Sequence, residues 1–430
     1  MTLFLLFFIL FLLLIAGAPI AVALGVSSLI FIILDGLPPV VVLHNMVNGI
    51  NSFPLIAVPF FIMAGNLMNT SGITTKIFTF ANAGMGWMHG GLGHVNVGAS
   101  VIFAGMSGAA VADAGGLGNI EIKAMRDAGY DTDFSVGITA ASSTIGPIIP
   151  PSLPLVVYGV VADTSIGQLF AAGLIPGLIM AISLMIMVAF FAKIRNYPRD
   201  ERFILRNFVT SFYHAILPLF TPIIIVGGIL TGIFTPTEAA IAAVAYSMFL
   251  GIVVYRTLDL KRLLRVSIDT VDITASIMMI VASSAIFAWI LTANQVAQSF
   301  ATNLLSFTDN RTALLLIIML VVLVVGCFME TIAAITILTP VLLPVAITLG
   351  VDPVHFGIIL ILNLMIGLLT PPVGLVLFVL SKVSGVPFER CVTATAPFLI
   401  PLVAVLLLLT FVPELSMWLP HKLYPAPGGN

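Results

Sequence analysis

Apolar residues run along this chain in blocks, not in stripes. Ten blocks fall at about 2–16, 19–34, 54–69, 133–162, 166–192, 212–234, 236–255, 267–292, 354–381 and 393–412. A helix apolar on every side is one surrounded by lipid or protein core, and about 20 such residues cross a bilayer. Two further stretches, about 95–128 and 312–350, break the pattern. Each is too long for one span and has a small-residue or polar break near its middle, which predicts a re-entrant helical hairpin that enters and leaves by one side. A turn at Gly17-Ala18-Pro19 is expected to divide residues 2–34 into two spans. In 295–309, Val296, Phe300, Leu304 and Phe307 recur at helical spacing, and 37–52 carries Pro38, Pro39, His44, Asn45, Asn48 and Asn51. Both read as amphipathic stretches lying along a membrane interface.

Two of the blocks contain what a spanning helix should not. Residues 146–151 read Gly-Pro-Ile-Ile-Pro-Pro and residues 367–372 read Gly-Leu-Leu-Thr-Pro-Pro. Both are G-x-x-x-P-P, 221 positions apart, and the same offset joins Gly105 to Gly326. Proline removes a backbone donor and clashes with the preceding turn. In lipid the freed groups cost several kcal/mol each unless protein or a water-lined cavity satisfies them. Paired interruptions in two halves point to discontinuous helices around a transport site. The expected fold is therefore an all-α polytopic membrane protein built from two inverted-topology repeats. The first covers 1–206 (hairpin 95–128, broken helix 133–162) and the second 207–430 (hairpin 312–350, broken helix 354–381).

Composition agrees with this reading: of 430 residues 60% are hydrophobic and 8% charged. The basic residues set the orientation. One run holds Lys193, Arg195, Arg199, Arg202 and Arg206, another Arg256, Lys261, Arg262 and Arg265. Two spans separate them, so both face the cytoplasm by the positive-inside rule. Of the other seven basic residues, Lys76, Lys123, Arg126, Lys382 and Arg390 then fall inside, and Arg311 and Lys422 outside. Each half holds five spans and one hairpin; five is odd, so the second half is inverted relative to the first. Both termini are expected in the periplasm. Residues 3–16 have no basic n-region and no cleavage site, and read as a retained membrane segment.

Candidate chemistry concentrates at the breaks. The first hairpin has five glycines between 105 and 118, with Ser107 among them. At its tip a helix C-terminus offers carbonyls to a cation and a helix N-terminus offers N–H groups to an anion. The first broken helix, Ser142 to Ser152, has prolines at 147, 150 and 151, with a fourth at 154, so the carbonyls from Gly146 to Pro150 lose their donors. Bare carbonyls with a hydroxyl suit Na⁺, and the second half repeats the pattern with Gly367, Thr370, Pro371 and Pro372 facing Gly326, Glu330 and Thr331. The intramembrane carboxylates are Asp113, Glu238, Asp272 and Glu330. Asp113 and Glu330 could instead cap hairpin arms, and Glu238 is expected to cap a helix after Thr235-Pro236-Thr237. The six histidines show no metal spacing and most of them read as interfacial, and Cys327 and Cys391 read as small apolar filler. With no P-loop, no H-E-x-x-H and no G-x-S-x-G, the chain is not expected to be an enzyme or to hydrolyse ATP. No nucleic-acid partner is expected; its surroundings are membrane lipids.

Five segments together carry a resemblance: FAGMSGAAVADAGGLG at 103–118, GPIIPPS at 146–152, GVVADTSIGQLFAAGLIPG at 159–177, FTPTEAA at 234–240 and GLLTPPVG at 367–374. With these the whole chain resembles the large membrane subunit of tripartite ATP-independent periplasmic (TRAP) transporters, the DctM-type family. The resemblance implies an elevator-type, sodium-coupled importer of the bacterial inner membrane. Its substrate would be a small organic acid such as a C4-dicarboxylate or sialic acid. Implied sodium ligands are Ser107, Gly146, Ile149 and Pro150 on one side, and Gly326, Gly367, Thr370 and Val373 on the other. Ser107, Thr144, Glu330 and Thr331 are the expected substrate contacts. Expected partners are a separate small four-helix membrane subunit and a periplasmic solute-binding protein that delivers the substrate. A stand-alone sodium–carboxylate symporter of related architecture is the alternative.

Overall fold

The computed structural model describes residues 2–197, 203–296, 299 and 310–424, and the described residues are helical with no β-strand. Among the described residues seven helices are long and apolar enough to cross a membrane: Phe53–Thr70, Ile166–Arg195, Leu205–Leu230, Pro236–Val254, Leu260–Ala293, Thr331–Thr348 and Phe388–Phe411. The chain is thus an all-α polytopic membrane protein. Residues 2–34 form two helices, Thr2–Ile15 and Ile20–Leu34, packed on each other. They part at the expected turn, where Gly17 has φ +83. The stretch expected to be interfacial at 37–52 contains a helix, Val40–Ile50, with Val40, Leu43 and Val47 exposed. The second such stretch, 295–309, lies almost wholly outside the described residues.

Both expected hairpins are helix–break–helix units. The first pairs Gly91–Ser107 with Ala110–Asp127, and the second pairs Arg311–Gly326 with Thr331–Thr348. The first turns on Gly108, whose φ of +60 suits a residue without a Cβ. The second arm of the second unit, Thr331–Thr348, is apolar and long enough to span by itself.

Both proline motifs interrupt their helices as expected. Thr132–Ser143 stops and Leu153–Val161 restarts; Pro353–Gly367 stops and Leu375–Ser384 restarts. Pro150-Pro151 and Pro371-Pro372 are both cis. The first break is fully buried, whereas Pro371 and Pro372 are exposed. Helix Ile166–Arg195 makes room for the first break with two glycines. A Cβ on Gly173 would come within 2.1 Å of the Ile148 carbonyl oxygen, and one on Gly177 within 2.2 Å of the Ile149 side chain.

Around these elements the helix Leu260–Ala293 forms a brace against Ile20–Leu34, Val40–Ile50, Ala57–Thr70 and Thr331–Thr348. Among the described residues there are two ion pairs, Arg195–Asp131 at 2.9 Å and Arg390–Asp133 at 2.6 Å. They tie the link between the first hairpin and its broken helix to two neighbouring helices.

Candidate functional site in a cavity between the hairpin tips

Each hairpin tip is joined to a broken helix by one main-chain hydrogen bond. The Leu153 N–H donates to the Gly108 carbonyl at 3.4 Å, and the Val373 N–H donates to the Cys327 carbonyl at 3.2 Å. The two halves therefore bring the same pair of features together, a hairpin turn and a helix break.

At the first break the Ile145 carbonyl accepts from both Ile148 and Ile149 at 3.0 Å. The Ser152 hydroxyl donates to the Pro147 carbonyl and in turn accepts the Leu155 N–H at 3.2 Å, which caps the restarted helix. Among the described residues no hydrogen bond reaches the carbonyl oxygens of Gly146, Ile149 or Pro150. These are buried acceptors left over, and a hard cation is a chemically suitable partner for them. The side chain of Ser107 lies outside the described residues. Thr144 is fully buried, its hydroxyl donating to the Ala141 carbonyl at 2.6 Å.

At the second break the backbones of Gly326 and Gly367 touch. A Cβ on Gly367 would lie 2.6 Å from the Gly326 carbonyl carbon. Among the described residues the carbonyls of Gly326, Thr370 and Val373 receive no hydrogen bond, whereas that of Gly367 already accepts the Thr370 N–H at 2.9 Å. The Thr370 hydroxyl donates to Ile366 at 2.8 Å and keeps its lone pairs. The residues at both breaks therefore fit a cation, with the first set enclosed and the second open to one side.

Between the two tips lies a cavity of about 630 Å³. Its wall includes Ala109–Ala112 and Pro147 from the first half, Glu330–Ile332 and Leu368 from the second, and Asp272, Ser276 and Ile280 from the brace helix. Glu330 and Thr331 thus stand where substrate contacts are expected, and Thr144 does not line this cavity. The two tips differ in chemistry. The Glu330 carboxylate accepts the N–H groups of Ile332 at 2.9 Å and Ala333 at 3.3 Å, closing its helix start. Helix Ala110–Asp127 has Ala109 at its N-cap and no side-chain cap, so its first N–H groups open toward the cavity.

The other carboxylates divide differently from expectation. Glu238 caps its helix in a reciprocal box with Thr235. Asp113 caps nothing: it is 2% exposed, neither oxygen meets the geometry of a hydrogen bond, and the Ser100 hydroxyl lies beside it. Glu121, 1% exposed on the same helix, was not among the expected intramembrane carboxylates. A polar knot of Asn96, Thr139 and Ser142 also escaped the sequence reading; Asn96 donates to Thr139 at 2.7 Å and accepts from Ser142 at 2.6 Å. Two of the six histidines, His94 and His355, are buried. Both cysteines are free and buried.

Interrupted helices facing hairpin tips across a cavity are the architecture of secondary transporters. The chain belongs to the tripartite ATP-independent periplasmic transporter family, as its DctM component, whose family model matches residues 7–415. It is 48% identical over 410 residues to the sialic acid TRAP transporter large permease protein SiaM of Vibrio cholerae, covering 95% of this chain and 96% of that one. It is 42% identical to the sialic acid TRAP transporter permease protein SiaT of Haemophilus influenzae, covering 95% of this chain and 67% of the relative. A C4-dicarboxylate TRAP transporter large permease protein, DctM of Pseudomonas aeruginosa, is 40% identical over 86% of this chain and 87% of its own length. Among solved structures, the YdaH transporter of Alcanivorax borkumensis superposes with TM-score 0.62 at 13% identity, covering 87% of this chain and 88% of that one. That last likeness concerns the fold alone.

Proposed function

We propose that this chain is the permease subunit of a sodium-coupled importer of a small organic acid. The acid would be handed over by a periplasmic binding protein, with a small membrane subunit bracing the scaffold in the inner membrane. The observation that carries this reading is a cavity walled by an uncapped helix start, Ala109 to Ala112, and by Pro147 and Leu368, one residue from each helix break. The N–H groups of Ala110 to Ala112 offer partial positive charge to a carboxylate. The carbonyls of Gly146, Ile149 and Pro150, and of Gly326, Thr370 and Val373, offer oxygens to sodium. Bound sodium would supply positive charge near the substrate carboxylate, which no arginine lining the cavity provides.

A second cavity of about 630 Å³ lies farther along the same brace helix, lined by Ser284, Trp289, Thr336 and Thr339. Asp272 to Ile280 line one cavity and Val281 to Thr292 the other. Two cavities in series along one fixed helix support an elevator motion of the hairpins and broken helices past it. The energetics suffice: two Na⁺ with one monoanion carry one net charge, worth about 2.3 kcal/mol per 100 mV. With the basic runs facing the cytoplasm, both termini fall in the periplasm.

The test is uptake into proteoliposomes holding this chain and its small subunit, with labelled sialic acid as the first substrate. Uptake is expected only with an inward sodium gradient and a binding protein present. Equal uptake with choline in place of sodium would overturn the ion coupling. Uptake without any soluble protein would make the chain a stand-alone symporter.

A further inference from the structure

Away from the transport cavity, a pocket of about 330 Å³ opens between helices Ile73–Met85 and Leu205–Pro222. Its wall is Thr75, Lys76, Thr79, Thr210, Ser211 and His214: four hydroxyls, an ammonium, an imidazole and no carboxylate. The Thr79 and Thr210 hydroxyls donate to the carbonyls of Thr75 at 2.9 Å and Arg206 at 2.8 Å. Those of Thr75 and Ser211 make no hydrogen bond among the described residues. The His214 Nδ1 lies 2.7 Å from the Thr210 carbonyl. A carbonyl only accepts, so Nδ1 carries a proton and spends it on Thr210. Among the described residues Lys76 has no carboxylate partner; its Nζ sits 4.1 Å over the ring of Tyr255.

The position of the pocket matters as much as its chemistry. Tyr255 follows the span Pro236–Val254 and precedes the basic run Arg256, Lys261, Arg262 and Arg265. The pocket therefore lies at the positive end of the bundle, where the cytoplasmic leaflet presents anionic headgroups. Helix Leu205–Pro222 leaves Phe212, Leu217 and Phe220 exposed, an apolar surface along which acyl chains can lie. Donors and positive charge without a carboxylate are what a phosphate oxygen requires.

We propose that this pocket is a structural lipid site that binds the phosphodiester headgroup of an anionic phospholipid. The source could be lipid or free phosphate, and the experiment separates them. Native mass spectrometry of the purified chain would follow retention of added phosphatidylglycerol, with diacylglycerol as the phosphate-free probe and inorganic phosphate as the free anion. The wild type is expected to retain phosphatidylglycerol and not diacylglycerol. Lys76→Gln should retain it about fivefold less, the worth of one juxtamembrane charge, and Lys76→Arg should recover most of that loss. Thr75→Ala with Ser211→Ala, which removes donors without altering charge, should also lower retention and guards against a folding defect in the first variant. Equal retention by all variants, or equal retention of diacylglycerol, would overturn the proposal. So would binding of inorganic phosphate without retention of phosphatidylglycerol.

Discussion

Gly146 and Gly367 occupy the same place in the repeated motif, and the structure predicts opposite responses to the same substitution. In Gly367→Ala the new methyl would sit 2.6, 2.7 and 2.9 Å from the carbonyl carbon, Cα and carbonyl oxygen of Gly326. Ordinary contact begins near 3.4 Å, so the hairpin tip and the break must part by about 0.8 Å. Backbone on both sides cannot rotate away as a side chain can. Overpacking of this kind costs about 1–3 kcal/mol. The Val373–Cys327 hydrogen bond, already 3.2 Å, would be lost with it, adding about 1 kcal/mol. In Gly146→Ala the methyl would meet only the Ser143 oxygen at 3.6 Å and the Ala109 nitrogen at 3.9 Å. Gly146 is not among the residues with positive φ, so alanine is expected within about 0.5 kcal/mol of wild type, or slightly stabilising through the unfolded chain. Thermal unfolding in detergent, followed by tryptophan fluorescence, reads both. Gly367→Ala unfolding at the wild-type temperature, or Gly146→Ala proving the weaker of the two, would refute the packing argument.

Three further outcomes follow from the same geometry. Glu330→Ala should cost about 1 kcal/mol of stability through loss of the helix cap, and Glu330→Ser should recover it. The serine variant should still alter the KM for uptake, since the cavity loses a carboxylate; an unchanged KM would confine Glu330 to capping. Asn96→Ala leaves the buried Thr139 hydroxyl without the amide and should lower stability by about 1–3 kcal/mol, with Asn96→Leu no better. The third concerns acid. The Tyr197 hydroxyl and then Arg195 hold the Asp131 carboxyl below its usual range. A depressed folded pKa adds stability above the unfolded value near 4, and that stability disappears as pH falls through the lower folded value. The pair is largely exposed, so the term is at most about 1 kcal/mol. Asp131→Asn should therefore be less stable than wild type from pH 5 to 8, and the difference should shrink as pH falls below about 4.

The parts of this fold that were legible in the sequence are those set by local chemistry. Proline lacks an N–H wherever it stands, so the breaks at 146–151 and 367–372 could be read directly, as could the Thr235–Glu238 cap. Packing partners could not. Gly105 and Gly326 share the 221-residue offset, yet a Cβ on Gly105 would meet Pro222, while Gly326 meets Gly367. Glu121 stands among glycines, Lys123 and Arg126, a stretch that reads as a water-facing arm. The helices Thr132–Ser143 and Leu375–Ser384 pack against that arm. Thr144 sits beside the break in sequence but turns its hydroxyl back onto its own helix, because a helix end leaves the Ala141 carbonyl free to receive it.

The cavity's asymmetry also bears on substrate choice. A carboxylate entering it finds unpaired N–H groups at Ala110 to Ala112, while the opposite wall presents Glu330, Asp272, Ser276 and Thr331. A second carboxylate on the substrate would face that acidic wall. Two like charges about 5 Å apart at an effective dielectric of about 20 repel by roughly 3 kcal/mol, more than a hundredfold in affinity. Hydroxyl groups at the same place would instead donate to Glu330 and Asp272. We propose on this basis that a polyhydroxylated monocarboxylate, such as sialic acid, would be preferred over a C4-dicarboxylate. In the proteoliposome assay a hundredfold excess of succinate should leave sialic acid uptake essentially unchanged, and Glu330→Ser with Asp272→Asn should let succinate compete. Strong inhibition of the wild type by succinate would show that the second carboxylate does not meet this wall, and the orientation argued from the open helix start would be wrong.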